Sequence, residues 1–149
     1  MSDDLDAARA GEFASAFVEF VRGFGLLDPE RTPCGAPMST AEAHALTILR
    51  AGGMTQGALG DRLKLGKSTT SRLVDGLEQH GWARREPDPR DGRARVLVLT
   101  DKGNEVAETV AERRATRLSA LLDHIPPAER PKVVDALHLL TEAGRHETL

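Results

Sequence analysis

The chain has 149 residues, is 40% hydrophobic and 29% charged, and carries a formal net charge of −3, which describes a globular protein with one modest core. No run approaches the roughly 18 apolar residues of a membrane span, and the start, Met1-Ser2-Asp3-Asp4-Leu5-Asp6, is acidic where a secretory signal is basic, so the expected location is the cytoplasm, without a membrane partner. Cys34 is the single cysteine, which excludes an intrachain disulfide and a cysteine-rich zinc module.

The first periodic segment, residues 5–23, reads as a helix with Phe13, Phe17, Phe20 and Phe24 in one stripe, and the simplest reading of that stripe is core packing. Pro29, Pro33, Gly35 and Pro37 then end regular structure and mark a boundary. Ser39-Thr40-Ala41-Glu42 is a capping box that opens a helix to about Arg50. After Gly52-Gly53, Thr55 caps a short helix through Leu63, and Leu65-Gly66 is the turn. The next helix, from about Lys67 to His80, sets Thr70, Leu73, Val74 and Leu77 inward at i, i+3, i+4 and i+7 and leaves Ser68, Thr69, Ser71, Arg72 and Gln79 on its polar side.

After Gly81 the period changes to two. Residues 82–86 and 95–99 read as a hairpin anchored by Trp82, with Val96-Leu97-Val98-Leu99 apolar on both faces and so expected between the helices and the first strand. Thr100 caps a helix to about Leu122, ~33 Å at 1.5 Å per residue, longer than a domain of this size needs. Ile125-Pro126-Pro127 breaks it, Pro127 suits the first turn of the last helix, and Val133, Val134, Leu137 and Leu140 continue that helix. The expected fold is mainly α with a small β-hairpin wing: a winged helix-turn-helix over residues 37–99 on a helical base of residues 1–36 and 100–149.

Charge is unevenly spread over this plan. Residues 55–95 hold nine basic and six acidic side chains, a local +3 that leaves −6 for the rest, as suits a region that touches phosphate. A chain with sixteen Arg against four Lys owes part of that asymmetry to its general preference for arginine. The polar-faced helix fits the major groove, where each base pair shows its own donor and acceptor pattern. Ser68, Thr69 and Ser71 bring short hydroxyls to bases or phosphates, Arg72 reaches guanine or a phosphate, and Lys67 with the free N–H groups of the helix start favours an anion. In Pro87-Asp88-Pro89-Arg90-Asp91-Gly92-Arg93 the Asp-Gly pair signals a turn. From it Arg90, Arg93 and Arg95 emerge close together, and a narrow minor groove attracts such groups. Asp75, Asp88 and Asp91 are near enough to hold some of them.

The strings Lys67-Ser68-Thr69-Thr70-Ser71-Arg72-Leu73-Val74-Asp75-Gly76-Leu77-Glu78, Gly81-Trp82, Asp88-Pro89-Arg90-Asp91-Gly92-Arg93 and Leu99-Thr100-Asp101-Lys102-Gly103 resemble the MarR-type transcription regulators, over nearly the whole chain. The resemblance implies a homodimer built from the first and last two helices, making residues 1–36 and 100–149 a dimerisation region. It further implies that the helix of the first string lies in the major groove, the wing near the minor groove, and that Asp75 pairs with Arg93 to lock the wing, leaving Arg90 for DNA. Effectors of the family commonly bind in a cavity between the dimer base and the DNA-binding lobe, where Phe13, Phe17, Phe20 and Phe24 would line the cavity or pack on the partner. The expected function is that of a ligand-responsive repressor, a homodimer on a pseudo-palindromic operator in double-stranded DNA with half-sites about 10 base pairs apart. A winged-helix module that binds another protein is the alternative.

Other chemistry finds little support. Cys34 has only Arg31 nearby to stabilise a thiolate, and the peroxide-sensing branch of the resembled family uses tyrosines, of which this chain has none. Cys34, Glu42 and His44 suggest a metal site by proximity alone, whereas the zinc-sensing branch adds histidines from the long helix, and residues 101–122 contain none. No oxyanion-hole or phosphate-loop pattern accompanies Cys34 and His44. The expectation is no metal, no cofactor and no enzymatic activity.

Overall fold

The computed structural model describes residues 2–146; Met1 and residues 147–149, the outer ends of the expected dimerisation region, lie outside the described residues. The elements are α1 (Ser2–Phe24), α2 (Thr40–Arg50), α3 (Gln56–Leu63), α4 (Lys67–Gln79), β1 (Ala83–Pro87), β2 (Arg95–Leu99), α5 (Asp101–Asp123) and α6 (Arg130–His146). They fall into two compact units, residues 1–113 and 114–149. The fold is mainly α with one hairpin, as the periodicities predict.

In the first unit each helix start is fixed locally. Ser39 Oγ accepts the Glu42 amide at 3.2 Å while Glu42 Oε2 accepts the Ser39 amide at 2.8 Å, so both halves of the capping box are present. Thr55 Oγ1 accepts the Ala58 amide at 3.2 Å at the start of α3. That helix ends on Lys64, whose φ of 57° puts a non-glycine residue in the left-handed region. There the Leu65 amide donates to the Gly60 carbonyl at 2.9 Å, satisfying a carbonyl the helix end would orphan. The turn therefore begins one residue before the expected Leu65-Gly66.

Thr70, Leu73, Val74 and Leu77 of α4 are buried, the four positions the 3.6-residue period selects. Leu73, Val74 and Leu77 join Leu46, Leu59 and Leu97 in a core that extends to Ala107 and Val110 of α5. Close approach of α3 and α4 requires a glycine: a Cβ at Gly60 would stand 2.7 Å from Thr70 Oγ1.

The two strands pair antiparallel with Ala83 opposite Leu99 and Arg85 opposite Leu97. On the far side of β2, the Leu97 amide donates to the Met54 carbonyl at 2.7 Å and the Met54 amide returns the bond at 3.1 Å. Leu97 is thus held on both edges and nearly sealed, at 1% exposure. The edges of β2 are paired there, while burial alternates between its faces: Leu97 and Leu99 are sealed in the core and Val96 and Val98 are only half-buried.

In the second unit, α6 begins at Arg130. The proline in its first turn is Pro131, whereas Pro127 lies in the preceding turn. The expectation failed there because Pro126-Pro127-Ala128-Glu129 forms a turn of its own, closed by the Glu129 amide on the Pro126 carbonyl at 2.8 Å. No residue of α6 is buried.

The phenylalanine stripe of α1 is not core of this chain. Phe13, Phe17 and Phe20 are 53%, 51% and 49% exposed, and Phe24 is half-buried. The rings pair among themselves, Phe13 with Phe17 at 6.0 Å and Phe20 with Phe24 at 5.3 Å between centroids. The period identified a helix face correctly, but a period does not say what covers that face. Among the described residues, no helix is long and apolar enough to cross a membrane.

Candidate nucleic-acid interface

Burial of one face of α4 fixes what the other presents. With Thr70, Leu73, Val74 and Leu77 inward, Lys67, Ser68, Thr69 and Arg72 are exposed and Ser71 is half-buried. The N-cap of α4 is Gly66, which lends no side chain to the helix start, so early N–H groups face outward beside Lys67. Thr70 is the exception among the hydroxyls: its Oγ1 donates back to the Gly66 carbonyl at 3.0 Å within the fold.

The wing loop is shaped by its acidic residues. Asp88 Oδ1 accepts the Arg90 amide at 2.8 Å, and Asp91 Oδ1 accepts the Arg93 amide at 3.1 Å. The Asp88 amide donates to the Ala94 carbonyl and the Ala94 amide to the Asp91 carbonyl, both at 2.9 Å. These carboxylates spend their hydrogen bonds on backbone rather than on guanidinium groups. Among the described residues Arg90, Arg93 and Arg95, like Lys67 and Arg72, have no carboxylate within ion-pair distance. On α4 and the wing, the cations the sequence assigns to DNA are left unneutralised, whereas Arg84 and Arg85 are paired.

Asp75 and Arg93 are not brought together. Asp75 Oδ1 instead lies 3.7 Å from Arg85 Nη2, and Arg85 Nη1 donates to Glu78 Oε2 at 2.6 Å. Arg85 Nη2 also donates to Gln56 Oε1 at 3.1 Å. The wing is therefore tied to the helix by a residue of β1 rather than by the loop arginine. Sequence reading counted Arg85 only as charge, yet the strand alternation held the signal: Arg85 shares a face with buried Ala83 and stands opposite buried Leu97.

Trp82 joins the wing to its neighbours. Its ring stacks on His80 at 4.3 Å between centroids, and its carbonyl accepts the Thr100 amide at 3.0 Å. Thr100 Oγ1 donates to the Gly81 carbonyl at 2.6 Å and accepts the Gly103 amide at 3.0 Å, and Lys102 Nζ donates to the His80 carbonyl at 2.8 Å. The string Leu99-Thr100-Asp101-Lys102-Gly103 thus pins the start of α5 to the end of α4.

Trp82 also walls a cleft of about 380 Å³ with Met38, Val106, Val110 and Arg113 among its lining residues. None of the four phenylalanines lines it. Arg113 Nη1 donates to the Gly35 carbonyl at 2.9 Å, and Cys34 beside it is half-buried. Glu42 is engaged in the capping box and lies 3.7 Å from His80 Nδ1, and among the described residues no three His, Cys, Asp or Glu side chains gather as metal ligands would.

Comparison with known proteins bears on the same region. The MarR family model matches residues 37–94. A helix-turn-helix-type transcriptional regulator of Bacillus subtilis, YkoM, is 34% identical over 88 residues, which span 59% of this chain and 55% of that relative. Another of Mycobacterium leprae, ML2140, is 28% identical over 140 residues, spanning 93% of this chain and 94% of that one. The PcaV transcriptional regulator of Streptomyces coelicolor, solved in complex with its natural ligand, superposes with a TM-score of 0.67 at 24% identity, over 93% of this chain and 95% of that one. At that identity the likeness is one of fold.

Proposed function

We propose that the chain, whose residues 37–94 match the MarR family model, is a homodimeric repressor of that family of DNA-binding transcription regulators, and that its hold on a pseudo-palindromic operator is relieved by a small molecule. One observation carries the DNA side of this reading: Lys67, Arg72, Arg90, Arg93 and Arg95 stand unpaired on α4 and the wing, while the wing's own carboxylates are occupied by backbone. In this reading α4 enters the major groove, with Ser68, Thr69, Ser71 and Arg72 facing bases and phosphates. Arg90, Arg93 and Arg95 reach the minor groove or its flanking phosphates.

Dimerisation rests on exposed apolar surface. Phe13, Phe17 and Phe20 of α1 and Val134, Leu137 and Leu139 of α6 are between 44% and 72% exposed, and clustered large apolar side chains left in water mark interaction surfaces. A second copy would cover it, and residues 1–36 and 100–149 would supply the interface. For the effector, the cleft beside Trp82 and Arg113 is the better candidate than the phenylalanine stripe, since it is concave and offers a cation among apolar walls. PcaV is a relative in fold that takes a ligand. A ligand favouring one lobe spacing would lower DNA affinity by population shift.

The direct test is binding of a mixed-sequence duplex at increasing salt. The logarithm of affinity should fall linearly with that of salt concentration, by about 0.9 per neutralised phosphate. Arg90→Ala should shorten the slope by about one contact, and salt-independent binding would refute the reading.

A further inference from the structure

Arg85 makes contacts with both helices of the helix-turn-helix. Its backbone lies in β1, opposite Leu97, and its side chain springs from the inner face of the hairpin. One guanidinium nitrogen donates to Glu78 at 2.6 Å, and the other donates to Gln56 at 3.1 Å and lies 3.7 Å from Asp75. Gln56 opens α3, and Asp75 and Glu78 sit one turn apart on α4. One planar fork thus spans the wing, the recognition helix and the helix that precedes it. Among the described residues, neighbouring Arg84 and Glu86, on the outer face of the same strand, pair only with each other, at 2.6 Å.

We propose that Arg85 is the positioning residue that sets the wing relative to α4, and that Arg93 is thereby left free to contact DNA; this rests on the DNA-binding reading above. Its side chain is 39% exposed and those of Asp75 and Glu78 are 54% and 28% exposed, so the ion pairs contribute little to global stability. What the fork supplies is direction. Its planar donors fix an angle that a single ammonium does not, and small misplacements of a contacting group are amplified in the function that depends on it.

Two variants separate this role from direct phosphate contact and from simple support of the fold. Arg85→Lys keeps the charge and loses the fork, and Glu78→Gln keeps the shape and removes the carboxylate that Arg85 grips. With the full-length protein, amide hydrogen exchange of the hairpin should quicken about tenfold in both variants while the amides of α2 keep wild-type rates. Affinity for a duplex enriched by the wild-type protein from a random pool should drop about tenfold in both, with affinity for a mixed-sequence duplex unchanged. A phosphate-contacting Arg85 gives the opposite sign: Glu78→Gln would tighten binding to both duplexes and Arg85→Lys would match wild type. That result, unchanged hairpin exchange, or faster exchange throughout the lobe with a lowered melting temperature would each overturn the proposal. The exchange measurement needs no DNA, so it decides the clamp even where the wild-type protein enriches no sequence, an outcome that would refute the DNA reading instead.

Discussion

Gly103 lies directly beneath the carbonyl of Trp82: a Cβ on that glycine would stand 1.8 Å from the carbonyl oxygen. No rotamer relieves a clash with backbone, so the first turn of α5 must move. Gly103→Ala should therefore destabilise the chain by about 3 kcal/mol or more, even though alanine is ordinarily the better helix residue by about 1 kcal/mol. Chemical denaturation checks this, and a wild-type midpoint would show that the turn yields more easily than its hydrogen bonds imply.

The Gly60 and Thr70 contact makes a second, paired prediction. Gly60→Ala gains helix propensity but sets a methyl 2.7 Å from Thr70 Oγ1, on a side chain that is 2% exposed and held by the Gly66 carbonyl. We expect a net loss of about 1–2 kcal/mol for Gly60→Ala. Adding Thr70→Ala should recover much of it, giving a coupling above about 0.5 kcal/mol in a double-mutant cycle. Additive losses would mean that the two helices do not meet as described.

For the capping box, Ser39→Ala removes the acceptor for the Glu42 amide and leaves Glu42 without its reciprocal partner. Thermal unfolding should report a cost of about 1 kcal/mol. A change indistinguishable from zero would place the start of α2 elsewhere in solution.

These three sites show what was readable beforehand. Capping boxes, the inward face of α4 and the two strands follow from local rules, because each depends on neighbours within a few residues. Gly103, Gly60 and Arg85 depend on partners brought close by the fold: Trp82, Thr70, Gln56 and Glu78. The Asp75 and Arg93 pairing came from family resemblance, and it fails here because Arg85 reaches Asp75 from an adjacent strand, while the Arg93 amide bonds Asp91 in the loop and its side chain stays exposed. The left-handed Lys64 left no sign, since lysine has no particular liking for that region.

The wing arginines should behave as independent phosphate contacts. Arg90→Ala and Arg93→Ala are each expected to weaken binding and to shorten the salt slope by about one contact, with no loss of thermal stability. An Arg93→Ala variant that melts early with an unchanged slope would restore the loop arginine as a brace.

The exposed phenylalanines allow a test of assembly. Phe13→Ser with Phe17→Ser should shift sedimentation from dimer to monomer while helical circular dichroism is retained, because neither ring belongs to the core. A persistent dimer would move the interface off α1.

The central claim is that α4 reads sequence while the wing supplies affinity. Selection of duplexes from a random pool by the full-length protein tests it most directly, carried out in parallel with Arg72→Ala. The account predicts enrichment of two-fold related half-sites about 10 base pairs apart, centre to centre, and a changed half-site preference for Arg72→Ala. A wild-type pool no different from the starting pool would contradict it.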